Sequence, residues 1–161
     1  VSIDRIPIPT DGGALWLAGR DDIAPDPEGA LRRAENASTI VCLNEERELA
    51  VRYPDYPAWL RANAGSASLW YPTGNFDAGD LAQTMPLLSA ITERLASRRG
   101  VIVHCAMGQG RAGTIAVCTS IMLGSSPGEA LETVATHRTC AGPSGRAQWA
   151  LVEAVAEQYT R

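Results

Sequence analysis

The chain has 161 residues, and its 14 basic side chains, every one an Arg, stand against 18 acidic ones for a net charge of −4. That mildly acidic balance excludes a general nucleic-acid binder, which needs a basic surface to release counterions. A chain that is 45% hydrophobic and 20% charged is not a disordered one, and its length fits one domain, residues 1–161, with a proper core.

In chain order, Ile3 to Ile8 alternates weakly before Pro9 and reads as a short strand. Ala14 to Gly19 is a second strand, entered through Gly12-Gly13, and Pro27 to Ala37 reads as a helix. Thr39 to Leu43 is a short apolar run rich in β-branched residues, the pattern of a buried strand. Glu45 to Val51 and Ala58 to Ala64 read as short helices, and Ser66 to Tyr71 as a strand stopped by Pro72. Asp77 to Ser97 is predicted as a long helix, because Leu81, Met85, Leu88, Ile91 and Leu95 fall on one stripe. Gly100 is expected to end it. Val101 to Val103 follows as a buried strand, then a Gly-rich turn and an apolar helix from Ala112 to Leu123. Gly128 to His137 and Arg146 to Tyr159 complete a helical C-terminal half, with Trp149 and Leu151 expected in the core. Strands separated by helices predict an α/β fold: one domain, a mostly parallel central sheet, and helices on both faces.

Cys42, Cys105, Cys118 and Cys140 form no C-x-x-C pair, and His104 and His137 give no zinc spacing, so no metal is expected. Four cysteines are too few for a disulfide scaffold. No apolar stretch approaches a membrane span, and the first residues do not open a signal peptide. A reduced, cytoplasmic setting without membrane or nucleic-acid partners is the expectation; oligomeric state is not legible. The absence of Lys reads most simply as a G+C-rich coding bias, which predicts a bacterial source. Guanidinium forks chosen for phosphate would explain a few positions at most.

The segment that carries chemistry is His104-Cys105-Ala106-Met107-Gly108-Gln109-Gly110-Arg111-Ala112-Gly113-Thr114. A buried strand runs into Cys105, two glycines follow, and Arg111 stands at the mouth of the next helix. Glycines let successive amides turn inward as an anion nest, and the helix adds the positive end of its dipole. The same field favours a thiolate at Cys105, while Arg111 offers a planar fork to two phosphoryl oxygens. A thiolate facing a cradled phosphate is arranged for in-line attack and a covalent phosphocysteine.

This segment resembles the signature of the cysteine-dependent protein tyrosine phosphatases, H-C-x-x-G-x-x-R followed by Ser or Thr. Its G-x-G-R-x-G-T ending resembles the small dual-specificity type. Leu15-Trp16-Leu17-Ala18-Gly19 and Ile40-Val41-Cys42-Leu43-Asn44-Glu45 are similar to that family's first buried strands. Arg138 and the stretch from Ser144 to Glu153 resemble its closing segments, with the kinase-associated phosphatase branch nearest in pattern. The resemblance implies a phosphatase fold and a phosphorylated protein or small phosphomonoester as substrate, with no cofactor. It implies that Cys105 is the nucleophile, that Ala106, Met107, Gly108, Gln109, Gly110 and Arg111 bind the phosphoryl group, and that His104 supports the loop. It further implies that Glu45 pairs with Arg111, against the alternative of a solvated acid in the Glu45-Glu46-Arg47-Glu48 run. A Cys on the strand of Cys42 forms a reversible disulfide with the nucleophile in some relatives; a buried apolar Cys is the alternative.

Two positions depart from the pattern. Aligned without gaps, the general-acid position falls on Asn75, whose amide cannot serve. Asp77, two residues later, is taken as the acid, against the alternative that it caps the long helix with Asp80 in the first turn. Ala112 replaces the hydroxyl that assists departure of the thiolate, which predicts slowed phosphoenzyme breakdown. With no basic residue from Ala106 to Gly110, a phosphoinositide is the less favoured substrate. Phe76 either flanks a substrate ring or anchors the loop in the core. Asn75 and Ala112 together leave open a phosphate-binding pseudophosphatase with weak or no turnover.

Overall fold

Five strands make one sheet because three of them are apolar on both sides and must be covered twice. The computed structural model describes residues 2–160. β1 (Ile3–Ile6), β2 (Leu15–Gly19), β3 (Thr39–Cys42), β4 (Ser68–Trp70) and β5 (Val101–Cys105) run in the order β1-β2-β5-β3-β4. All pairs are parallel except β1 with β2. Every residue of β2, β3 and β5 is buried, the condition of a parallel sheet covered on both faces.

The helices are α1 (Pro27–Arg33), α2 (Glu46–Ala50), α3 (Tyr56–Ala62), α4 (Leu81–Ala96), α5 (Gly110–Met122), α6 (Pro127–His137) and α7 (Arg146–Tyr159). Strand alternation divides the core between them. Val41, Val101, Val103 and Cys105 pack with Leu88 and Ile91 of α4, Ala116 of α5, Val134 of α6 and Leu151 of α7. Ile40, Cys42 and Ile102 face the other way, against Ala30, Leu49, Tyr56 and Leu60. Helix α5 is enclosed: each residue from Arg111 to Ile121 is buried. Gly113 permits this, because a Cβ there would stand 2.2 Å from the Gly142 amide nitrogen.

The α/β architecture is the expected one, and several boundaries move. Helix α4 begins at Leu81, not Asp77, because Asp80 is its N-cap: the Asp80 carboxylate accepts from the Gln83 amide at 2.7 Å and the Gln83 side chain accepts from the Asp80 amide at 3.1 Å. At its other end the left-handed residue is Arg98 (φ 63), not Gly100. Helix α1 stops at Arg33 and is followed by left-handed Glu35 and Asn36. Trp149 is 43% exposed rather than core, whereas Leu151 is buried as expected.

Candidate active site

β5 delivers Cys105, only 3% exposed, to the foot of a loop that α5 closes at Gly110. The loop carbonyls are tied outward. Ala106 O accepts from the Arg20 amide at 3.1 Å, Met107 O from Arg138 Nη2 at 2.7 Å, and Gly108 O from Arg138 Nε at 2.9 Å. In a trans peptide the N–H points opposite to the carbonyl, so the amides of Met107, Gly108 and Gln109 turn to the concave side. The free amides at the start of α5 face the same space, making an anion-binding bowl. Gly108 is required: its φ is +71, and a Cβ would stand 2.4 Å from Ala18 O and 2.8 Å from Arg138 Nη2.

Arg111 is fixed before any ligand arrives, but not by Glu45. Its Nη1 donates to Glu48 Oε2 and its Nη2 to Glu48 Oε1, both at 2.8 Å, and Nη1 also donates to Thr73 O at 2.8 Å. Glu45 instead pairs with exposed Arg47 at 3.0 Å. The correction follows from helix α2. Glu48 is its third residue, and its carboxylate also accepts from the Glu45 amide at 2.7 Å and from Asn44 Nδ2 at 3.0 Å. Burial alone would raise the Glu48 carboxyl, but the bonds from Arg111 and the Glu45 amide outweigh it and hold it at about 2. Burial likewise works against the Arg111 charge and is outweighed by Glu48, so the guanidinium stays above its ordinary range. Arg111 Nε is buried without a partner. Together with the second Nη2 proton, beyond the one given to Glu48 Oε1, it is left to meet an anion in the bowl.

His104 is fully buried on β5. Its Nε2 lies 2.7 Å from the Tyr56 hydroxyl and its Nδ1 3.4 Å from Cys105 O. Burial pushes the imidazole down to about 4, with the charges of Arg111 and Arg20 acting the same way. A neutral ring accepts from Tyr56 at Nε2 and leaves Nδ1–H toward the Cys105 carbonyl, which braces the base of the loop.

For Cys42 the structure supports the buried apolar alternative over the disulfide. Cys42 stands in register with His104, not Cys105, and alternation turns it to the face of Ile40, Ile102 and Tyr56 while Cys105 faces the other. The two thiols do not face one another across the sheet. Burial pushes the Cys42 thiol up to about 12, as it does Cys118. All four cysteines are free, and only Cys140 is exposed.

Asp77 is not a helix cap. It lies in the loop before α4, exposed, its carboxylate accepting only from the adjacent Ala78 amide at 2.8 Å. Its backbone carbonyl accepts from Gln148 Nε2 at 3.3 Å. Gln148, which the sequence reading passed over, is fully buried, and its Oε1 accepts from the Ser144 amide at 2.8 Å and Thr114 Oγ1 at 3.3 Å. It thus joins the loop of Asp77 to α5 and α7. The loop roofs a cavity of about 430 Å³ that Arg111, Tyr71, Leu87 and Ile115 also line. Phe76 is 63% exposed with φ +61, so it is no core anchor, and Met107, in the loop after Cys105, is 66% exposed. Ala112 is fully buried, and the nearby Thr114 hydroxyl is committed to Gly110 O. Among the described residues no cluster of three or more His, Cys, Asp or Glu is placed to hold a metal, and no helix is long and apolar enough to cross a membrane.

Comparison with known proteins identifies the fold and the family. Residues 27–152 match the family model for PTP-SAK, the Swiss Army Knife protein DSP-PTPase phosphatase domain. The structure is similar to that of Tk-PTP in its active form, at 24% identity over 96% of this chain and 97% of the other, with a TM-score of 0.72. It is also similar to PTPMT1 (22% identity, 99% and 96% covered, TM-score 0.77). Kinase associated phosphatase gives 17% identity, 99% and 96% coverage and a TM-score of 0.76. No curated protein matches the chain by sequence.

Proposed function

The chain belongs to the dual-specificity-type phosphatase domains of the cysteine-dependent protein tyrosine phosphatase superfamily, and from that premise we propose that it hydrolyses phosphotyrosine esters, with phosphoserine and phosphothreonine as further substrates, through a phosphocysteine at Cys105. The observation that carries this reading is the bowl itself. Loop amides are turned inward, and a guanidinium clamped by Glu48 leaves Nε–H unspent above a buried cysteine.

In the first step the Cys105 thiolate attacks phosphorus, the P–O bond to the leaving group breaks, and that oxygen takes a proton from Asp77. Amides of the loop and Arg111 hold the three equatorial oxygens throughout. In the second step a water attacks phosphorus and gives its proton to the Asp77 carboxylate. The P–S bond then breaks, returning thiolate and inorganic phosphate. Asp77 suits this role because α4 is capped by Asp80, which leaves the Asp77 carboxylate free of capping duty. Exposed Phe76 beside Asp77 and exposed Met107 in the loop after Cys105 favour an aryl leaving group over a highly charged headgroup.

Turnover of a small aryl phosphate and a phosphotyrosine peptide tests the reading. Cys105→Ser is expected to abolish both, and Asp77→Asn to slow the peptide by about 10²-fold or more, the typical weight of a general acid. Wild-type protein that binds phosphate esters without turning them over would make the chain a pseudophosphatase. Unchanged rates in Asp77→Asn would remove that residue from the mechanism.

A further inference from the structure

Among the described residues, Arg138 is the one side chain that reaches both central carbonyls of the loop from behind. Its Nε and Nη2 donate to Gly108 O and Met107 O at 2.9 and 2.7 Å. Its third nitrogen, Nη1, donates to Asp4 Oδ2 at 2.7 Å, Ser2 O at 3.1 Å and Leu17 O at 3.4 Å. The guanidinium is therefore spent on two loop carbonyls, on the carbonyls of Ser2 and Leu17 and on the β1 carboxylate of Asp4, and does not serve as a substrate cation. Asp4 is paired with Leu17 in the β1–β2 register, and the Ser2 hydroxyl donates to its carboxylate at 2.9 Å. The Arg138 side chain is 11% exposed and that of Asp4 31%.

We propose that Asp4 and Arg138 form a positioning pair that holds the phosphate loop in its anion-binding shape, so that the antiparallel edge strand is part of the catalytic apparatus. The physical reason lies in the peptide planes. A carbonyl held outward forces the next amide inward. If Arg138 swings away, the 107–108 and 108–109 peptides lose their outward partner and are free to turn, and each turned peptide replaces an N–H donor by an oxygen lone pair facing a dianion. Asp4 fixes Arg138 through a charge-assisted bond, the stronger kind. Asp4 also lies upstream of residues 27–152, the part matched by the family, so this anchor is supplied from outside that segment.

The proposal rests on the loop being the phosphoryl site, and the test keeps the two claims apart by measuring oxyanion affinity as well as turnover. Tungstate binding is read by calorimetry and as a competitive inhibition constant against an aryl phosphate, for wild type, Asp4→Asn, Arg138→Met and Arg138→Lys. All are compared well below their melting temperatures. Arg138→Met is expected to weaken tungstate by about tenfold or more, the loss of bonds from a charged donor, and Asp4→Asn, which acts at one remove from the loop, by about threefold to tenfold, the net range of an ordinary hydrogen bond. KM should rise in parallel. Arg138→Lys, which keeps the charge but reaches one carbonyl, should fall between wild type and Met. Arg5→Gln is the control: it breaks the exposed Arg5–Glu35 pair on the same strand and should leave affinity unchanged. Lowered melting temperatures with tungstate affinity intact would overturn the pair's role, as would an Arg5→Gln effect equal to that of Asp4→Asn. A wild type that binds tungstate but hydrolyses nothing would overturn the hydrolase reading alone.

Discussion

Glu48 grips Arg111 with both carboxylate oxygens at 2.8 Å, and Thr73 O takes the same Nη1, so the guanidinium is oriented by the protein rather than by the substrate. A fork fixed in advance loses little freedom on binding. Replacing Glu48 by Gln keeps the shape, removes the charge and puts an N–H against a guanidinium donor. The expected result is a loss of kcat/KM of about tenfold to a hundredfold, and of stability by about 3 kcal/mol, the lower end for a broken buried pair. Steady-state kinetics and urea denaturation check both.

The same carboxyl sets an acid limit. Held at about 2 in the folded chain against an ordinary value of about 4.3, it contributes stability that is complete above the unfolded value. That contribution is lost as pH falls from there toward 2, by roughly 3 kcal/mol in all. Glu48→Gln should flatten this part of the stability profile.

His104 acts in a separate window. Its ring is pushed to about 4 by burial, so between about 6.5 and 4 the unfolded chain takes up a proton that the folded chain refuses. Stability from this source is complete above about 6.5 and declines as pH falls to 4, by roughly 3 kcal/mol. Denaturation midpoints at pH 7 and pH 5 should differ accordingly, and a neutral replacement, His104→Gln, should lessen the difference. Tyr56→Phe leaves Nε2 buried without its partner, and should cost about 1–3 kcal/mol at pH 7.

Ala112 offers no hydroxyl to the departing thiolate, and Thr114 is engaged with Gly110 O. Rapid mixing with an aryl phosphate is expected to show a burst of phenol before the steady state. Ala112→Ser should shrink the burst and raise the steady rate. Absence of a burst in the wild type would show that dephosphorylation is not the slow step.

Because Cys42 and Cys105 face opposite sides of the sheet, mild peroxide should give oxygen adducts rather than an internal cross-link. Intact mass is the measurement: a gain of oxygen on Cys105 is expected, and a loss of two hydrogens mapped to Cys42–Cys105 would contradict it.

Much of this was legible beforehand for a physical reason. Val101 to Arg111 combines a buried strand, two glycines and a cation at a helix mouth, and each element constrains the next. Helix α4 was legible as a stripe but not in its start, since periodicity carries no end signal; Asp80 with Gln83 carries it. Choosing Glu45 over Glu48 failed because Glu45-Glu46-Arg47-Glu48 presents three carboxylates, and only the turn of α2 decides which one reaches Arg111. The two alternatives for Cys42 stay open in the sequence because adjacency of strands carries no register, and one residue reverses the face. Gln148 and Asp4 make their contacts across 71 and 134 residues, separations at which a single sequence is silent.

The burial of α5 on every side has a consequence for how the site responds to change. One half of the proposed chemistry, Arg111 and the amides, is continuous with the core and shares its stiffness. The other half, Asp77 as the proposed acid, hangs from a few backbone bonds and one glutamine amide. On that proposal, sequence drift in the loop from Pro72 to Gly79 retunes leaving-group protonation while the fold stands. Drift in α5 meets the whole interior at once, and any gain there is coupled to repacking three neighbouring helices.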